Sequence, residues 1–187
     1  MKTTRLALGI CFLAALLCTC NKAPLMEETA RMDIPHLDKA VVTFVRSSIM
    51  APTTKSGIWD RENFVGEIKA RSYIQYETEP GEHLFLAQSE VWSYLVAHLQ
   101  GGRQYVVKAE VIPGSNSPRI QLTPVIPGGR TTKADIDEWF EDLEGYKPSE
   151  SVAEAYVRGH LPALKKAVKR YDEGRVTFEN LSPGDAW

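Results

Sequence analysis

Between Lys39 and Val125 the chain repeats one cadence, a short apolar or alternating run followed by a turn rich in Gly, Pro, Asn or Ser. The runs are Ala40–Arg46, Ile58-Trp59, Phe64–Ile68, Tyr73–Thr78, His83–Gln88, Val91–Leu99, Gln104–Ile112 and Arg119–Val125. Pro80-Gly81, Gly101-Gly102 and the stretch 113–118 punctuate them. Turn signals at a spacing of roughly 8–12 residues mark an all-β sandwich or barrel. No helix-length segment separates the runs, which disfavours a parallel sheet built from βαβ units. The expectation over residues 38–126 is an antiparallel β-sandwich of seven or eight short strands, immunoglobulin-like or transthyretin-like in architecture.

After Pro127-Gly128-Gly129 the period changes. Thr132 can cap a helix with Asp135 three residues on, and Ile136, Trp139, Phe140 and Leu143 then share one face. Gly145 is expected to end this helix. A second helix is expected to start near Pro148 with a Ser151/Glu154 capping box, to kink or break near Gly159–Pro162, and to stop at Gly174. The acidic outer face of the first and the basic half of the second suggest a helical hairpin. Residues 131–174 therefore read as a helical extension, and 175–187 as an irregular tail.

The N-terminus has a different logic. Lys2 and Arg5 precede an apolar run from Leu6 to Leu17. This is the charged region and short apolar region of a secretory signal, and too short for a membrane span, which needs about 20 residues. All three cysteines, Cys11, Cys18 and Cys20, lie in the first 20 residues. The folded part thus holds no disulfide, cysteine nucleophile or thiolate metal site. Cutting 19 of the 187 residues leaves 168, enough for one domain with a core. Loss of Lys2 and Arg5 moves the net charge from −2 to −4. An acidic surface gives no reason to expect nucleic acid as a partner.

The stretch Leu17-Cys18-Thr19-Cys20 resembles the lipobox of bacterial lipoproteins, in which an aliphatic residue stands three places before the modified cysteine. The resemblance implies a signal peptide over 1–19 and lipidation of Cys20. Cys18 is the second candidate, but Leu16 and Leu17 precede it where small residues are wanted, and a plain signal peptide cut nearby is the third possibility. Residues 20–37, polar and broken by Pro24 and Pro35, read as a flexible tether with a reach of roughly 20–25 Å. Asn21, rather than aspartate, after Cys20 implies the outer membrane, facing the periplasm or the cell surface. Further along, Phe44-Val45-Arg46, Pro80-Gly81-Glu82-His83 and Gly101-Gly102-Arg103-Gln104-Tyr105 together resemble a family of uncharacterised bacterial lipoproteins with a small β-sandwich domain, over about residues 38–125. That resemblance implies a fold and a location, and no catalytic residues.

Few residues suggest chemistry. If His83 and His98 faced each other in a hairpin turning at Glu90-Val91, they could share a metal with Glu82 as third ligand; one turn histidine and one strand-end histidine is the simpler expectation. Asp60, Glu62, Glu67, Glu77, Glu79 and Glu82 are carboxylates of turns and outward strand positions. Tyr73, Tyr76, Trp92, Tyr94 and Tyr105 could line a carbohydrate or peptide surface, or serve the core. No HExxH, GxSxG or phosphate-binding loop is present. The expectation is a non-catalytic binding or structural protein, with no metal and no cofactor, partnered with the membrane through its lipid and with an envelope protein through loops or an edge strand. One alternative is an envelope enzyme acting on carbohydrate or peptidoglycan. The other is an accessory lipoprotein of a secretion or transport assembly, docking through the stripe of helix 133–144.

Overall fold

Period-two alternation decides which side chains of each strand face inward. In the computed structural model, which describes residues 24–32 and 35–187, all eight expected runs are strands. In chain order the elements are β1 (Met26–Glu28), β2 (Ala40–Arg46), β3 (Ser56–Asp60), β4 (Asn63–Ile68), β5 (Ser72–Thr78), β6 (Gly81–Ala87), β7 (Ser93–Leu99), β8 (Arg103–Ile112) and β9 (Arg119–Val125). They continue with α1 (Lys133–Asp142), β10 (Glu144–Pro148), α2 (Glu150–Asp172) and β11 (Glu179–Leu181). One sheet has the order β1-β10-β5-β2-β8-β9 and the other β11-β7-β6-β3-β4.

The two sheets share one apolar layer. Val42 and Phe44 from β2, Ile74 from β5, and Tyr105 and Val107 from β8 meet Ile58, Phe85, Leu95 and Ala97 of the second sheet. The alternate residues of the same strands form two further layers on the outer faces. Val45, Tyr73, Val106 and Val125 are covered by Ile136 and Leu143, with Trp139 and Phe140 packed alongside. Trp59, Leu84, Leu86, Tyr94 and Val96 are covered by Leu164, Ala167 and Val168. The order of layers is therefore helix, sheet, sheet, helix. Strands buried on both faces read as near-continuous apolar runs, as in Ala40–Arg46, all seven residues of which are buried.

Several expectations are corrected. The sheets are mixed rather than antiparallel: β2 pairs parallel to β8, β10 to β5 and β11 to β7. The helices form no hairpin, because their apolar stripes cover opposite sheets. Gly145 does not simply end a helix; it lies within β10, which joins 131–174 to the first sheet. The tail is not irregular throughout. β11 extends the second sheet, and the Trp187 indole donates to the Val125 carbonyl at 2.6 Å. Ser151 and Glu154 form no capping box at the start of α2, since Ser149 is the N-cap. The helix also runs unbroken through Gly159 and Pro162. Both residues are exposed, so the pyrrolidine ring points to solvent, where water can meet the carbonyl left without a donor.

The tether is corrected in the same way. Cys20 and residues 1–23 lie outside the described residues, but the segment from Leu25 is part of the domain. β1 pairs with β10 from Met26 opposite Pro148 to Glu28 opposite Tyr146. The Leu25 carbonyl accepts from Ser149 N, and Thr29 N donates to Gly145 O, both at 2.9 Å. The Met26 side chain fills a niche over Gly66, whose amide neighbour Glu67 N donates to Met26 Sδ at 3.1 Å. Gly66 has φ +154 beside the bulge at Ile58/Trp59, a conformation suited to glycine.

Candidate functional site

The β6–β7 register decides the histidine question. Gly81 pairs with Leu99, Glu82 with His98, and His83 with Ala97. The hairpin is slipped by one residue from the arrangement that would oppose the two imidazoles, and a one-residue slip moves a side chain to the other face. His83 shares the inward face of Phe85 and Ala87, while His98 is exposed on the face of Val96. The proposed His83/His98/Glu82 metal site is therefore not formed. Among the described residues, no three His, Cys, Asp or Glu side chains are grouped to hold a metal ion.

His83 belongs instead to a polar knot. Its Nδ1 lies 2.7 Å from Asp60 Oδ2 and its Nε2 lies 2.9 Å from the Glu79 carbonyl. Tyr76 donates its hydroxyl to the same Asp60 oxygen at 3.3 Å. Both ring nitrogens meet acceptors, which suits the imidazolium with two N–H donors. The hydrogen bond to Asp60 raises the His83 pKa, against the opposing effect of burial. Burial, with Asp60 adding to it, pushes the Tyr76 hydroxyl up. In that form both ring N–H groups are engaged by acceptors. His83 ties the β3–β4 turn to the β5–β6 turn.

The other sequence candidates divide between packing and surface. Tyr73 lies edge-on to Phe140, 5.1 Å between centroids. Tyr94 is buried under α2 and donates to the Ala167 carbonyl at 3.2 Å. Tyr105 accepts from Gln100 N in the central core. Glu67 pairs with Lys55, Glu62 with Lys165 and Glu79 with Lys39. A stack that spacing alone did not single out joins Trp59, Phe64, Tyr156 and His160, with Tyr156 and His160 rings 4.0 Å apart. Their i, i+4 spacing on α2 was its only signal. Burial, then the charge of Glu67, pushes the Tyr156 hydroxyl up to about 12, so it stays neutral.

Of the five aromatic candidates, Trp92 borders open space. It stands with Val91 at the entry to β7, where two adjoining clefts of about 280 and 450 Å³ share Val91, Trp92, Tyr94 and Thr177. Arg170 and Arg175 line the larger, and Arg119, Ile120 and Phe178 the smaller. Val91 and Phe178 are 50% and 46% exposed, so the rims are apolar as well. Glu90 fixes one wall. Its carboxylate accepts from the amides of Ser115, Asn116 and Ser117 and pairs with Arg119 at 3.6 Å. Burial opposes the shift, but these amides and Arg119 lower the Glu90 pKa. The groove offers aromatic and aliphatic surface; its Arg119 and Arg175 are already paired with Glu90 and Glu173, and Glu179 lines it too, so it fits an extended segment chiefly through apolar side chains.

No family model matches the chain, and no curated protein matches it either.

Proposed function

We propose that this is a lipid-anchored protein of the bacterial cell envelope, acylated on Cys20 after removal of 1–19, with a non-catalytic role in binding an envelope partner. The leader and its Leu17-Cys18-Thr19-Cys20 ending support the anchor, and Asn21 supports the outer membrane. The finer fold reading, a small sandwich like that of uncharacterised bacterial lipoproteins, is supported by the two facing sheets over 40–125. Among the described residues no helix is long and apolar enough to cross a membrane.

The groove at Trp92 is the observation that carries the binding role. The enzyme alternative called for a cleft with converging carboxylates or for the His83/His98 pair, and the β6–β7 register removes the pair. The docking-helix alternative loses its exposed stripe, because Trp139 and Phe140 pack on the first sheet beneath Lys108 and Arg31. A photo-crosslinking amino acid placed at Phe178 in living cells tests the role. A discrete envelope adduct, lost in Trp92→Ala, is expected. Adducts forming only from a probe at His98, at the far end of β7 from the groove, would contradict it.

A further inference from the structure

The docked N-terminal segment has a geometric consequence for the anchor. Four peptide units separate Cys20 from Pro24, and fully extended they span at most about 14 Å. From Leu25 onward the chain is held by β10, by Ser149 and by the Gly66 niche. The chain length that sets how far Cys20 can lie from the domain is therefore the stretch up to Pro24, not the whole of 20–37.

The place where this tether leaves the domain is well defined. Pro24, Leu25, Lys55, Lys69 and Tyr146 line an open cleft of about 600 Å³ between β1 and the ends of β3 and β4. β1 is the first strand of its sheet and β9 the last, five strand steps away. At 4.7–4.9 Å per step the two edges are about 24 Å apart. The second sheet agrees: β4, which touches Met26, and β11, whose Glu179 meets Gln121 of β9, are its opposite edges.

We infer that the β1 edge, with the cleft of Lys55 and Lys69, is the surface apposed to the phospholipid headgroups, and that the β9/β11 edge with the Trp92 groove points away from the membrane. This rests on acylation at Cys20. Tether length, not charge, holds the orientation. Lys55 and Lys69 on this surface are matched by Glu67 and Glu144 at 3.2 and 3.4 Å, so no net basic patch is available to do it. The groove, on the far edge, is thereby presented to partners that approach from the aqueous side.

Because the described domain has no cysteine, single-site labelling tests this directly. The acylated full-length protein is placed in phosphatidylethanolamine/phosphatidylglycerol vesicles that carry a headgroup nitroxide quencher. A fluorophore is attached at Lys55→Cys or at Gln121→Cys. Lys55 is chosen because it lies on the domain body, so its position reports docking and not mere nearness in sequence. Quenching at least fivefold stronger at 55 than at 121 is expected, unchanged between low and high salt. Inserting 20 Gly/Ser residues after Asn21 should bring the two sites toward equal quenching. Vesicle flotation with equal quenching in the uninserted protein overturns the orientation alone. Failure of the uninserted protein to float, or flotation of Cys20→Ala, overturns the anchor and the orientation with it.

Discussion

Replacing Gly66 by alanine probes the seam between the N-terminal segment and the domain. A Cβ at Gly66 would lie 2.8 Å from Met26 Cε and 2.9 Å from Ile74 Cδ1. The backbone φ of +154 adds strain of about 1–3 kcal/mol for a residue with a side chain. Overpacking adds about 1–3 kcal/mol more. Both clashing atoms are ends of flexible side chains, so the lower half of the overpacking range applies, and with the backbone strain Gly66→Ala should cost about 3 kcal/mol. Met26 is half-buried, and Met26→Ala should cost about 1–2 kcal/mol, less than a full core truncation. In the double variant the methionine clash is gone while the strain and the Ile74 contact remain. The combined cost should then fall short of the sum by about 1 kcal/mol, a coupling well above the roughly 0.3–0.5 kcal/mol scatter of independent sites. Urea unfolding of the four proteins gives the cycle. If docking of β1 is worth less than the clash, Gly66→Ala will instead release the segment, and trypsin will cut after Arg31 faster than in the wild type under native conditions. Additive costs, together with an unchanged cleavage rate, would refute the placement of Met26 over Gly66.

Three further outcomes follow from the same structure. Arg46 is 1% exposed and donates to the carbonyls of Thr54, Met50 and Ala51 at 2.5, 2.7 and 2.9 Å, pinning the loop after β2; Arg46→Lys cannot reproduce this fork and should cost about 3 kcal/mol in urea unfolding, a loss under 1 kcal/mol arguing against the clamp. The raised His83 pKa means that its pairing with Asp60 stabilises fully below the unfolded value of about 6.5, and that this stabilisation is lost as pH rises through the folded value; the stability gap between wild type and Asp60→Asn should hold below about pH 6.5 and shrink above it, whereas a gap independent of pH would contradict the knot. Pro162→Ala restores a helix donor at an exposed position of α2 and should stabilise by about 1–3 kcal/mol, read as a higher melting temperature; no increase would mean that the surrounding helix is already adapted to the proline.

The eight central strands were legible because each turns at least one face to an apolar layer, so that alternation or a continuous apolar run coincides with burial. Helix α1 was legible down to its cap, Thr132 and Asp135 exchanging hydrogen bonds as expected. The strands that escaped, β1, β10 and β11, are three to five residues long and largely polar: MEE, EGYKP and ENL. Backbone pairing to an existing edge holds them, and that leaves no side-chain periodicity to find. The parallel pairings escaped for a related reason, since β2 and β8 are brought together across 56 residues of intervening chain by packing, not by a turn. His83 and His98 were placed by guessing the centre of a hairpin, and an error of one residue was enough to separate them. The Trp92 groove draws Val91 and Trp92, Arg119 and Ile120, and residues 170–178 from three distant stretches, so no local motif marks it.

The anchor is tested most directly by mass spectrometry of the mature N-terminal peptide, purified from membranes of cells making the full-length chain. The account predicts a peptide beginning at Cys20 and carrying diacylglycerol and an amide-linked acyl chain, absent in Cys20→Ala, which should leave the membrane fraction. An unmodified N-terminus at or near Cys20, or acylation that persists on Cys18 in the variant, would contradict it.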